Sequence, residues 1–375
     1  MLLTSSGRIR TAITIAVIAG VVSSACGGAP LTAGAPPAQD GTQSEAEKVF
    51  AKFNAMSGQE RHNALVAAAK AEGKLMLYGA PESSGELVDA FEKLYGIEVE
   101  VLTGQTEERT QKFIQEETAG RHVADVITNA MESIQQFDEM GFLGPYKSDL
   151  LKEIPESIRG DNWTAFVRVA FAAGYNTTVV DPSEIPESFA DFADPKWKGK
   201  ISLELGDFAW FMALYGYYKD KGMSDAEVTD LFERIATNSK VVSGHSQQAA
   251  MLSAGQFGVA VSAFTQSVDR EIAKGAPVAW KGDGTATTQP IVLRYTSVGA
   301  SRHAPHPAAA QLYLDFLLSP DAYPAYAAQK QLPIIPPPDD PLNGLETLPI
   351  DPAQLATEQA KWSDLYDAIL RKGSQ

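Results

Sequence analysis

A mixed α/β protein of two lobes is what this sequence predicts, and three observations predict it. Short apolar runs alternate with amphipathic helical stretches, the pattern of a mainly parallel sheet joined by helices. At 375 residues the chain is long enough for two units, each with its own core. Apolar residues make up 44% and charged residues 21%, the proportions of a soluble globular protein. The formal charge of −16 makes nucleic acid and anionic membrane poor partners for the body.

The first 25 residues read differently from the rest. Arg8 and Arg10 precede "TAITIAVIAGVVSSA", an uncharged segment too short for a comfortable membrane span, and small residues lead to Cys26. Residues 1–25 are therefore expected to be a signal peptide. Residues 26–56 would be a Gly/Pro/Ala tether with an N-terminal helix. The arrangement resembles a bacterial lipoprotein signal, in which Cys26 is lipidated and becomes the new N-terminus. Ser23 stands where that pattern usually has leucine, and Ser23 with Ala25 also suits ordinary secretory cleavage. Loss of the leader takes the charge from −16 to −18. A lone cysteine leaves no internal disulfide framework and no Cys-rich metal site.

Two helices follow, "SEAEKVFAKFNAM" and "SGQERHNALVAAAKAEG", the second opening on an expected capping box of Ser57 and Glu60. Then "KLMLYGA", a helix whose apolar residues are Leu87, Ala90, Phe91 and Leu94, "IEVEVLTG", the helix "TEERTQKFIQEETAG" and "ADVITNA" give the first lobe its strands and crossovers. The second lobe holds "KISLEL", a helix from about Trp210 to Lys221, the helix "DAEVTDLFERIAT" and "GVAVSA". The chain returns through "PIVLRYTSVGAS" and the helix "AAAQLYLDFLLS" to a proline-rich tail and a last helix. The expected division is 57–172 with 285–375 as lobe 1 and 173–284 as lobe 2, leaving a ligand cleft between lobes joined by two crossings.

The motifs "EGKLMLYGAPESSGELVDAFEKLYGIEVEV", "EETAGRHVADVI", "WTAFVRVAFAAGYNTTVV", "DFADPKWKGKISL", "GAPVAW" and "APHPAAAQLYLDFLLSPDA" occur in that order. This series resembles the extracellular solute-binding proteins of ABC importers, with the type II periplasmic-binding fold, in the branch labelled for ferric-iron transport. The resemblance covers about residues 60–340. It implies capture of a small solute outside the cell, hinge closure over it, and delivery to a membrane permease. The expected protein is a monomer, held on the extracytoplasmic face of the membrane by its lipid anchor, with no cofactor and no nucleic-acid partner.

Candidate ligand residues lie at strand ends and helix starts. Ser83 can cap the helix that follows "KLMLYGA", with Glu86 reaching back. The same N–H groups with the Ser84 hydroxyl can instead cradle an anion. Glu82 would repel a phosphate and suit an ammonium group or a metal. In "SGHSQQAAMLSAG", Ser246 can cap a helix, and the resemblance brings His245, Ser246 and Gln247 to the ligand. Asp207 and Trp210 open a helix expected to face the cleft, where a carboxylate beside an aromatic face receives a cation. Asn129 follows the strand "ADVIT".

Ferric-binding members of the family hold the metal with tyrosine phenolates, often an adjacent pair after the "GVAV"-like strand. Here that place reads "GVAVSAFTQSVDR", with Ala263 and Phe264, and no tyrosine occurs between Tyr218 and Tyr295. Tyr217 and Tyr218 sit within a helix. The residues therefore point to a small polar organic solute, such as a zwitterion, carboxylate or phosphonate, with ferric iron as the alternative and no metal ligands assigned. His303 and His306 in "HAPHP" could suggest metal ligation, but proline flanks His306 on both sides and the motif fits a loop before a helix. No G-x-S-x-G, H-E-x-x-H, phosphate loop or catalytic cysteine is present, so binding and not turnover is expected. An extracytoplasmic hydrolase and a receptor that docks on a sensor are the rival classes.

Overall fold

The computed structural model describes residues 43–79, 81–282 and 287–373, and only the helical backbone of Pro81–Ser84. The leader, the tether and Cys26 lie outside the described residues, as do the side chains of Glu82, Ser83 and Ser84.

The first described helix, α1 (Glu45–Asn54), opens on a capping box. The Ser44 hydroxyl accepts from the Glu47 N–H at 3.0 Å, and the Glu47 carboxylate accepts from the Ser44 N–H at 2.8 Å. Helix α2 (Gly58–Glu72) corrects an expectation: Ser57 is its N-cap but makes no side-chain cap bond, so the Ser57–Glu60 box does not form. Outside the box positions, the Gly58 N–H donates to Asp149 Oδ2 at 3.2 Å, a partner from far along the chain.

The alternation read in the sequence then appears in order: β1 (Lys74–Tyr78), α3 (Pro81–Tyr95), β2 (Glu98–Leu102), α4 (Thr106–Thr118), β3 (Val126–Ala130) and α5 (Met131–Glu139). Strand β1 runs parallel to both β2 and β3. A long strand, β4 (Trp163–Asn176), leads into the second half. There follow β5 (Ile201–Glu204), α6 (Phe208–Asp220), α7 (Asp225–Asn238), β6 (Ser239–Val242), α8 (His245–Ser253), β7 (Val259–Phe264), α9 (Thr265–Ala273) and β8 (Val278–Ala279). The chain returns as β9 (Ile291–Ala300), α10 (Pro307–Leu318), α11 (Tyr323–Gln329), β10 (Leu332–Pro333), β11 (Thr347–Pro349) and α12 (Pro352–Gly373).

One sheet unites these strands in the order β2-β1-β3-β9-β4-β7-β5-β6. Strands β4 and β9 carry it from one half to the other. Residues 163–171 of β4 pair antiparallel with β9, and residues 171–175 pair with β7. The ladder shifts register between Ala172 and Gly174. A Cβ on Gly174 would stand 2.9 Å from Val268 Cγ2, so glycine lets α9 lie close over the bulge. Beyond it, β5 is parallel to β6 and β7.

Two apolar clusters lie under these elements. One gathers Phe91, Phe113, Phe137, Tyr313 and Phe316 around α10, which is buried on every side. The other gathers Phe189, Trp210, Phe211, Phe232 and Tyr366. The second cluster holds a surprise from the tail. Helix α12, expected with lobe 1, packs on α6 and α7 of the second half: Tyr366 stacks on Phe211 at 5.4 Å, and Gly373 lies against Ala236 too closely for a Cβ. Apolar match, not chain order, decides where a terminal helix docks.

Candidate functional site

Parallel pairing of β5 with β6 brings Glu204 beside Val242, so the chain leaving β5 and the chain leaving β6 turn side by side. Asp207 precedes α6 and His245 begins α8. Their side chains meet, with His245 Nε2 3.1 Å from Asp207 Oδ1. Glu204 joins them from below, so that one ligating atom from each of the three lies within 4.8 Å of the others. Among the described residues this is the one group of three such side chains.

Local geometry explains why these residues hold their places. Gly244 takes φ +87°, a conformation that costs glycine little, and its N–H donates to Glu204 Oε1 at 2.8 Å. The Gly206 N–H donates to Glu204 Oε2, and the Glu204 carbonyl accepts from the Tyr366 hydroxyl at 2.8 Å. Glu204 thus pins two turns and the C-terminal helix together. His245 stacks on the Phe264 ring at 3.4 Å between centroids, with Phe171 edge-on. Asp207 is only 4% exposed; burial pushes its pKa above the usual carboxylate range, the His245 hydrogen bond opposes that, and the Glu204 charge adds to it. Asp207 Oδ2 and His245 Nδ1 are buried and have no partner among the described residues.

His245 also forms part of the wall of a cavity of about 320 Å³. Val167 and Val169 of β4 and Thr296 of β9, the two crossing strands, form its floor. Ser246, Phe264, Ser267 and Arg270 close it on the second-half side, and Gln331 on the other. Helices α8 and α9 both begin at this cavity, so their unpaired N–H groups add positive potential there. Larger hollows of about 790 and 730 Å³ lie elsewhere, bordered by residues of 183–196 with Arg234 and by residues of 132–139 with 353–359, away from this cluster.

The sequence candidates separate cleanly. Asp207 and His245 come together, and Ser246 borders the cavity, but as a first-turn residue: the N-cap is Gly244, so Ser246 does not cap α8. Gln247 is exposed and outside the cavity wall. Trp210 is fully buried between Phe189 and Phe232, not facing the cleft, because it lies on the apolar face of α6 that packs into the second cluster. Asn129 is committed to structure, donating to Thr110 Oγ1 and accepting from the Ala130 N–H, both at 2.8 Å. At the start of α3, the Gln329 carboxamide, turned so that its oxygen faces the Gly85 and Glu86 N–H groups, accepts from them at 3.3 and 3.1 Å and donates to Gln331. That helix start is therefore linked to the cavity through two glutamines. Phe264 was noted only as standing where a tyrosine would be expected, and Arg270 and Gln331 carried no marker; for Glu204 the spacing Glu204-x-x-Asp207 at a strand end was the one available signal.

Residues 121–370 match the family model described as "Bacterial extracellular solute-binding protein". The chain belongs to that family. Iron uptake protein A2 of Synechocystis sp. is 24% identical over 297 residues, covering 74% of this chain and 80% of the relative. Iron uptake protein A1 of the same organism is 29% identical, but over 122 residues, about a third of its own length. Among solved structures, iron-bound HitA from Pseudomonas aeruginosa superposes with a TM-score of 0.63 at 18% identity, covering 79% of this chain and 99% of that one. AfuA from Actinobacillus pleuropneumoniae, with exogenous fructose-6-phosphate bound, gives 0.58 at 20% identity over 80% and 97% of the two chains. At such identities the likeness is one of fold, the two-lobed type II periplasmic-binding fold.

Proposed function

We propose that this chain is the capture component of an ABC importer and that its cargo is iron, as the ferric ion or a small chelate of it. The observation that carries the reading is the cavity on the crossing strands β4 and β9, which has walls from both halves. A solute seated there touches both lobes, so its binding free energy is available to hold them closed. In this reading lobe 1 is 57–172 with 285–351, and lobe 2 is 173–284 with α12. The closed form docks on the permease. Relatives named for iron uptake and Fe(3+) binding support the choice of cargo over the organic solute expected from the sequence. Family membership supports export, and no described helix is long and apolar enough to cross a membrane. Attachment would come from lipidation of Cys26. The protein works by binding, with no turnover.

A polar organic anion is the second reading. One observation favours it: no tyrosine borders the cavity among the described residues, while Arg270, Ser246, Ser267 and Gln331 do. Native mass spectrometry of the purified protein separates the two. A ferric-sized increment supports iron. An organic mass released on denaturation supports the second reading and names the solute. If the protein arrives empty, isothermal titration with ferric citrate and with fructose-6-phosphate replaces the first test. Binding of neither would sink both.

A further inference from the structure

We propose that Glu204, Asp207 and His245 form a metal-binding site of two carboxylates and one imidazole, taking the place that phenolates would otherwise fill. The identity of the metal as iron rests on the cargo reading above; the ligand set does not.

Four observations carry this assignment. The donor types suit a borderline-to-hard transition metal, with two anionic oxygens and one imidazole nitrogen. Two ligands at about 2.1 Å from one metal at a right angle stand about 3.0 Å apart, and His245 Nε2 and Asp207 Oδ1 are 3.1 Å apart. Asp207, with 4% of its side chain exposed, keeps Oδ2 unpartnered among the described residues. Burying a carboxylate oxygen with nothing to accept from is unfavourable, and a cation beside it removes that penalty.

Charge gives the fourth. Neither Glu204 nor Asp207 forms an ion pair with lysine or arginine among the described residues; His245 is the sole basic partner. Two carboxylates against one imidazole are short of positive charge at low dielectric, and a divalent or trivalent ion would supply it. The site is also held from behind. The Gly206 and Gly244 N–H groups fix the Glu204 carboxylate, and Phe264 fixes the His245 ring. Each Glu204 oxygen keeps a second lone pair for a metal. Because His245 borders the cavity, the metal's open positions face the space a chelating anion or water can enter.

The test loads the full chain with ferric citrate, and separately with Co²⁺, then removes excess and counts metal per chain alongside the visible spectrum. Wild type should retain about one metal and show no phenolate-to-iron charge-transfer band. Asp207→Asn and His245→Gln should each weaken retention by more than about tenfold, with unchanged circular dichroism and unfolding midpoint. Tyr217→Phe with Tyr218→Phe should retain metal as wild type does. Co²⁺ bound with a carboxylate–imidazole spectrum and lost in Asp207→Asn supports the site even if ferric citrate fails, and then only the iron cargo falls. Metal retained fully by both site variants, a phenolate band in the iron form, or no uptake of either metal overturns the site.

Discussion

Two histidine–carboxylate clusters sit in opposite halves of this protein, and they are finished differently. In the first half, Asp125 is wholly buried, and both of its carboxylate oxygens are engaged. Its oxygens accept from the Met76 N–H at 2.7 Å, the His306 N–H at 2.6 Å and His306 Nδ1 at 2.8 Å. Nearby, Glu117 meets His122 Nδ1 at 2.8 Å and the Ser301 hydroxyl at 2.9 Å. In the second half, Asp207 meets His245 in the same chemistry, yet an oxygen of one and a nitrogen of the other have no partner among the described residues. The comparison teaches that residue type does not separate a strut from a site. Completeness of hydrogen bonding does. A satisfied buried pair has nothing left to offer a ligand, whereas an unsatisfied one lowers its free energy by acquiring one.

The largest effect expected from breaking this comparison is at the strut. Asp125→Ala leaves two buried N–H groups and His306 without their acceptor, and should lower stability by about 3–5 kcal/mol in denaturant unfolding. Cargo affinity at temperatures where the variant remains folded should be unchanged. A loss below about 1 kcal/mol would mean the first cluster is no strut.

His122→Ala removes one of two partners of Glu117 and should lower stability by about 1–2 kcal/mol, less than Asp125→Ala because the Ser301 bond survives. Equal losses in the two variants would contradict the reading that bond number sets the cost.

Asp207→Asn should change the stability of the cargo-free protein by no more than about 1 kcal/mol, in either direction, because the unpaired oxygen contributes no bond to lose. A loss as large as that of Asp125→Ala would make Asp207 a strut as well.

The smallest expected effect is on the pH profile. Burial holds the pKa of Glu72, Glu117, Asp125 and Asp207 above the usual carboxylate range. The folded state therefore binds their protons more tightly than the unfolded chain does. Their contribution to stability is present at low pH, below the unfolded pKa, and is lost as pH rises through the folded pKa. The unfolding temperature of the cargo-free protein should rise as pH falls from neutral toward about 5, and Asp207→Asn should flatten that rise. A profile that falls steadily on acidification would contradict it.

How much was legible differs between fold and site, for a physical reason. The alternation of strands and helices was legible because each element's period is written in local neighbours. Failures came where distant partners compete for a group. Ser57 heads α2 as expected, but its side chain makes no cap bond and the capping box is absent, while the Gly58 N–H beside it goes to distant Asp149. Trp210 was placed at the cleft by its position near a helix start, and packing between Phe189 and Phe232 decided otherwise. By contrast, the reading of His306 as part of a loop before a helix holds: it is the N-cap of α10, paired with Asp125.

By itself the sequence determined the α/β class, the order of elements, and that Asp207 and His245 are polar groups at helix starts. Only the tertiary structure decided that the two meet, that Glu204 joins them, and that α12 crosses to the second half. The reason is the same in each case. Local periodicity sets which face of an element is apolar, but the pairing of β5 with β6 and the match of apolar surfaces set which elements become neighbours.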